Sequence, residues 1–223
     1  PNGWQRSPWD YPHLSSSVTL MPRDPTALLE NLIWHDDDHL QIGDTQFFLT
    51  VDCPTLDATE PTSEQFPLLK KKALLQNLMK LLPESIDNMI ELGIFDGGSI
   101  ALYGQLLSPT SFVGIEIHRE RVGALDQYLE RHSATERVKL YYGTDQGDRE
   151  ALKKIVRDNF NGQSLDLVID DCSHRYGPCK ASLNTLCHCF VRVVSISSKI
   201  GRGHMCQLNT LKHLAARRTL YRS

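Results

Sequence analysis

Four short apolar runs, Asn88–Leu92, Phe112–Ile117, Val138–Tyr142 and Leu165–Ile169, alternate with helical stretches near 98–107, 119–131, 147–159 and 178–186. Strands that run parallel must be joined by crossovers of a dozen residues or more, and helices supply them. The alternation therefore predicts an α/β fold with right-handed βαβ units and a mostly parallel sheet with flanking helices. No internal repeat is visible. At 223 residues the chain suffices for one such domain with a modest extension. Apolar residues make up 40% and charged residues 23%, which supports a packed core and argues against wholesale disorder. No run of 18 apolar residues occurs, so no membrane partner is expected. The start, PNGWQRSPWDYPHL, has no secretory pattern, which predicts a cytoplasmic protein, and its opening proline suggests that the natural start lies upstream.

Residues 1–60 read as an irregular extension containing a short strand or hairpin. Residues 1–26 are rich in Pro, Ser and Trp and lack a period, Ala27–Ile33 has room for one or two helical turns, and Gln46–Val51 is a strand. His35, Asp36, Asp37, Asp38 and His39 are read as a solvated turn rather than a metal site. Phe66–Leu82 predicts a helix: Leu68, Leu69, Ala73, Leu75, Leu78, Met79 and Leu82 recur at helical spacing, with Lys70, Lys71, Lys72 and Lys80 between them. Thr62 or Ser63 would cap it and Pro83 would stop it.

The chemistry gathers at the carboxyl ends of the four runs, where open α/β sheets bind ligands. The first ends in Glu91-Leu92-Gly93-Ile94-Phe95-Asp96-Gly97-Gly98. Glycines permit positive φ and close approach of a ligand, and the next helix points its N-terminus at that ligand. A dinucleotide site shows G-x-G-x-x-G without a leading acid. Glu91 instead suits a ligand carrying an ammonium group or hydroxyls. Glu116, ending the second run, suits ribose hydroxyls; Asp145 and Gln146, after the third, stand where an adenine would lie. The fourth ends in Asp170-Asp171-Cys172-Ser173-His174.

These motifs resemble those of class I S-adenosylmethionine-dependent methyltransferases. More narrowly, TSEQFPLLKKK, IELGIFDGGS, YYGTDQGDREAL and LVIDDCSHRYGPCKASLNTL, spanning about residues 60–186, resemble the cephalosporin-hydroxylase-like (CmcI-type) branch, related to macrolide sugar O-methyltransferases. The resemblance implies a Rossmann-like methyltransferase core at 61–186. It implies Glu91, Gly93 and Gly97 on the methionine and ribose part of the cofactor, Glu116 on the ribose hydroxyls, Asp145 and Gln146 near adenine, and Asp170 among the binding residues. O-methylation needs a deprotonated hydroxyl in line with the sulfonium methyl. Asp171 is expected to hold Mg²⁺, which lowers a bound hydroxyl's pKa, and His174 to take the proton. The expected acceptor is a small natural product or a sugar, and a homo-oligomer is left open.

The formal charge of −3 is unevenly spread: residues 1–171 hold 15 Lys/Arg and 27 Asp/Glu, whereas 172–223 hold 9 Lys/Arg and no acid. Past Leu186 the family pattern would continue with R-P-G-G and an apolar strand ending I-E-D-W, which carries the remaining metal ligands. The chain reads CHCFVRVVSISSKIGRGHMCQ. Re-read one base out of frame, with permitted codons, residues 187–207 become LPLLRPGGLYLIEDWAWAHVP. The expectation is that 187–223 is an aberrant basic tail produced by a reading-frame slip and that the sheet is incomplete at its C-terminal strands. Zinc at Cys187, His188, Cys189 and His204 fits no closed ligand pattern, and the basic end has no nucleic-acid fold signature. An NAD(P)-dependent oxidoreductase and a non-catalytic cofactor-binding module are the competing readings.

Overall fold

A computed structural model describes residues 32–80, 82, 85–172, 176–186, 193–197 and 207–211. The turns expected at 27–31 and the cysteine and histidine cluster of the tail lie outside these residues, as does His174.

Strands β1 (Ile33–Trp34), β2 (His39–Ile42), β3 (Thr45–Leu49) and β4 (Gln65–Leu68) form a small sheet in that order. The first three are antiparallel, and β4 runs parallel to β3. The 35–39 cluster is a turn: the Asp36 carboxylate accepts from the Asp38 and His39 amides at 2.8 and 2.7 Å. Helix α1 (Cys53–Asp57) lies between β3 and β4, its N-terminus capped by the Asp52 carboxylate. Helix α2 spans Lys72–Met79.

The helix expected from Phe66 is thus corrected at its start. Residues 65–68 pair with 46–49, burying Phe66 and Leu68. Thr62 opens this strand instead of capping a helix: its hydroxyl accepts from the Gln65 amide at 3.0 Å. Lys71 is still extended (φ −97°, ψ 150°), so helical geometry begins only after it.

The large sheet contains β5 (Asn88–Leu92), β6 (Ser111–Ile115), β7 (Val138–Tyr141), β8 (Leu167–Asp170), β9 (Val193–Ser197) and β10 (Gln207–Leu211), in the order β10-β9-β8-β5-β6-β7. Five strands are parallel, and β10 is antiparallel to β9. Helices α3 (Gly98–Leu107), α4 (Gly123–Arg131), α5 (Arg149–Phe160) and α6 (Tyr176–Leu186) supply crossovers and flank the sheet. The Rossmann-like α/β expectation holds. Where the sheet was expected to be incomplete, the tail adds two strands: the apolar, β-branched VVSIS pairs with β8 through Val168↔Val193, and β10 pairs with β9.

Period-two alternation divides the core between the sheet faces. Met89, Phe112, Leu167 and Ile169 pack with the small sheet and α2–α4, including Phe47, Phe66, Leu78 and Tyr103. Ile90, Leu92, Val113, Ile115 and Val168 pack with Leu152, Ile155 and Phe160 of α5 and Leu186 of α6. No helix among the described residues is long and apolar enough to cross a membrane.

Candidate functional site

The strand order reverses between β5 and β8, because α3 leads from β5 to β6 on one side while β8 pairs on the other. Such a switch point leaves a crevice at the carboxyl ends of the strands. Here it is a cavity of about 630 Å³, well within the size of small-molecule sites. Gly93, Glu116, Asp145, Gln146 and Asp171 all line it. Gly97, Glu91 and Asp170 do not, and the physical reasons differ.

Gly97 (φ +85°) makes the left-handed turn that starts α3, backed by the Leu125 side chain. Glu91 falls on the Met89 face of β5 by strand alternation and is wholly buried beneath α3. Neither of its carboxyl oxygens has a hydrogen-bond partner among the described residues. Burial raises its pKa to about 8; the Lys70 charge and the Ser99 side chain oppose the rise, and Asp171 adds to it. The Tyr103 phenol, also fully buried, is pushed up by burial and then by the Glu91 and Asp171 charges. Asp170 is buried; its Oδ1 accepts from the Cys172 thiol at 3.2 Å.

Glu116 organises the glycine-rich turn. Its Oε2 accepts from the Ile94 and Phe95 amides, both at 2.9 Å, and its Oε1 from the His118 amide at 3.0 Å. A carboxylate oxygen has two lone pairs, so Oε1 retains one for a ligand hydroxyl. Gly93 (φ +101°) passes so close to β8 that a Cβ would lie 2.5 Å from the Asp171 carbonyl oxygen. The turn therefore needs glycine for both its conformation and its clearance. Asp145 closes its own loop by accepting from the Gly147 amide at 2.7 Å, and Gln146 Nε2 donates to Ser182 Oγ of α6 at 3.4 Å.

Several lining residues escaped the sequence reading. Phe95 (φ +49°) and Ile117 expose 55% and 60% of their surface, an unusual placement for large apolar groups and one suited to covering a planar ligand. Lys70, read among the polar positions of a helix, is only 4% exposed and pairs with the Asp171 carboxylate.

No family profile matches the chain, and no curated relative does. Among solved structures it is similar to the MycE methyltransferase from the mycinamycin biosynthetic pathway in complex with Mg and SAH, at 20% identity and a TM-score of 0.42, over 57% of this chain and 31% of that one. It is similar to a precorrin 8w decarboxylase from Methanobacterium thermoautotrophicum at 20% identity and TM-score 0.42, over 57% and 63% of the two chains. An O-methyltransferase family protein from Burkholderia thailandensis gives 13% and 0.39, over 50% and 32%.

The residues fit an adenosyl ligand. Glu116 has an acceptor for a ribose hydroxyl beside the Gly93 turn, and Thr144, Asp145 and Gln146 line the same cavity. They do not fit Mg²⁺. Among the described residues no group of three His, Cys, Asp or Glu converges, and Asp171, the expected ligand, is engaged by Lys70.

Proposed function

We propose that the chain is an S-adenosylmethionine-dependent methyltransferase acting on a hydroxyl of a small natural product or sugar, with motifs of the cephalosporin-hydroxylase-like branch. The observation that carries this reading is the placement of Glu116 and Gly93 on one cavity at the switch point: a carboxylate with a spare acceptor beside a left-handed glycine turn. The lack of G-x-G-x-x-G favours this cofactor over a dinucleotide.

When bound, the cofactor supplies an electrophilic sulfonium methyl group. The protein's part is to hold and dehydrate. Glu116 fixes the turn and offers Oε1 to the ribose; Asp145 and Gln146 border the base; Phe95 and Ile117 cover the mouth. Asp171 stands at the β8 end of the cavity, and His174, three residues on in sequence, is proposed as the base that takes the acceptor's proton.

Labelled methyl transfer from S-adenosylmethionine to members of a panel of hydroxyl compounds tests the reaction. Turnover is expected and should fall about 100-fold or more in His174→Ala, the usual scale for losing a general base. Label transfer that H174A leaves unchanged removes the histidine from the chemistry; a chain that binds the cofactor but transfers nothing is the non-catalytic module.

The acid-free tail is carried as a reading-frame slip after Leu186. The charge split and the shifted-frame match support it. A coding sequence around residue 187 whose shifted frame lacks R-P-G-G and an acidic strand end sinks it.

A further inference from the structure

We propose that the Lys70 ammonium is the resident cation of this site, standing against Asp171 where a divalent metal would have to bind, so that the chain holds no metal ion there. The proposal deepens the methyltransferase reading and rests on it for the purpose of the cavity.

Lys70 reaches this position because of how β4 ends. Its amide bonds back to the Leu68 carbonyl at 2.8 Å, making a tight turn before α2. Pro67, Leu68, Leu69 and Lys70 thereby form one wall of the cavity, opposite the ends of β5 and β8. The Lys70 side chain is 4% exposed and its Nζ meets the Asp171 carboxylate, itself 17% exposed. A buried ammonium of this kind is retained because its partner carboxylate satisfies it; swinging it into solvent would leave that carboxylate uncompensated.

The other oxygens nearby make poor magnesium ligands. Mg²⁺ demands near-octahedral oxygen coordination, anchored by one or two ionised carboxylates. Glu91 is wholly buried and does not line the cavity. Asp170 is buried and accepts from the Cys172 thiol. Asp171 remains, and an ion with two positive charges would have to share it with the ammonium. Among the described residues Lys70 is also the one Lys or Arg in the cavity lining, which includes the acids Asp96, Glu116, Asp145 and Asp171. It delivers a fixed positive charge and N–H donors without needing a coordination sphere.

Mn²⁺ added to the full chain, with and without S-adenosylhomocysteine, tests this by electron paramagnetic resonance. The wild-type chain is expected to leave the free-ion signal unchanged up to millimolar concentration, with Asp171→Asn behaving identically. Lys70→Met, freed of the tethered cation, should bind Mn²⁺ at least tenfold more tightly than wild type and lose that gain in the K70M/D171N double variant. One Mn²⁺ per wild-type chain, abolished by D171N, overturns the proposal. So does a folded K70M chain that takes up no more Mn²⁺ than wild type; Lys70→Gln replaces it if K70M does not fold. Absence of S-adenosylhomocysteine binding would instead count against the cofactor reading, and the ligand-free arm still decides the metal question.

Discussion

Gly93→Val is expected to abolish binding of S-adenosylhomocysteine, weakening it by more than 100-fold, and to lower the melting temperature. Two costs combine. The φ of +101° is one that a β-branched residue adopts only under strain, on the order of 1–3 kcal/mol. The new Cβ also lies 2.5 Å from the Asp171 carbonyl oxygen and 3.2 Å from Cys172 Cβ. Neither can withdraw cheaply, because the Asp171 amide is tied to the Leu92 carbonyl at 2.9 Å and the Gly93 amide to Ile115 at 2.8 Å. The turn must move into the cavity instead. Gly123→Ala is the matching control: its Cβ meets nothing within 4 Å and it lies in the first turn of α4, so it should be neutral or stabilise by up to about 1 kcal/mol. Calorimetric titration and thermal melts of both variants check the pair.

Glu91→Gln should reverse a loss of stability that the wild-type chain suffers as pH rises. The ordinary value for this carboxyl is 4.5, and burial raises it to about 8 in the folded chain. The folded state therefore holds the proton more tightly. The stabilising contribution is complete below pH 4.5 and is lost as pH climbs through 8. Glutamine has nearly the same shape and does not titrate. The melting temperature of E91Q relative to wild type is expected to rise between pH 5 and pH 9 by about 5 °C or more. Taking the difference between variants removes the contribution of histidines common to both. A difference that stays flat across this range would mean that Glu91 is charged and paired in the folded chain.

The parts of the fold most legible in the sequence are those buried on both faces. Asn88–Leu92 and the helix at 98–107 were expected within the limits the structure gives, since β5 lies mid-sheet and every residue in it is buried. Boundaries drifted where periodicities overlap. Phe66 and Leu68 fit a helical stripe as well as a strand face, and only pairing with β3, 19 positions earlier in register, decides for the strand. The tail departs in another way: the family pattern left the sheet incomplete after Leu186, yet the apolar, β-branched VVSIS pairs with β8.

The site divides in the same way. Glu116, Gly93, Asp145, Gln146 and Asp171 were legible because they follow strands directly, so chain topology alone carries them to one crevice. Lys70 was not, because its partner is 101 residues away and comes near only through the small sheet. Glu91 was legible as a residue but not in its placement: strand alternation buries it on the Met89 face of β5, away from the cavity lining.

Calorimetric titration of the full chain with S-adenosylhomocysteine and, separately, with NAD tests the central claim most directly. The predicted result is saturable, one-to-one binding of S-adenosylhomocysteine at micromolar concentration, weakened at least tenfold in Glu116→Ala, with no binding of NAD. Binding of NAD in its place, lost in the same variant, would contradict the account and make the cavity a dinucleotide site.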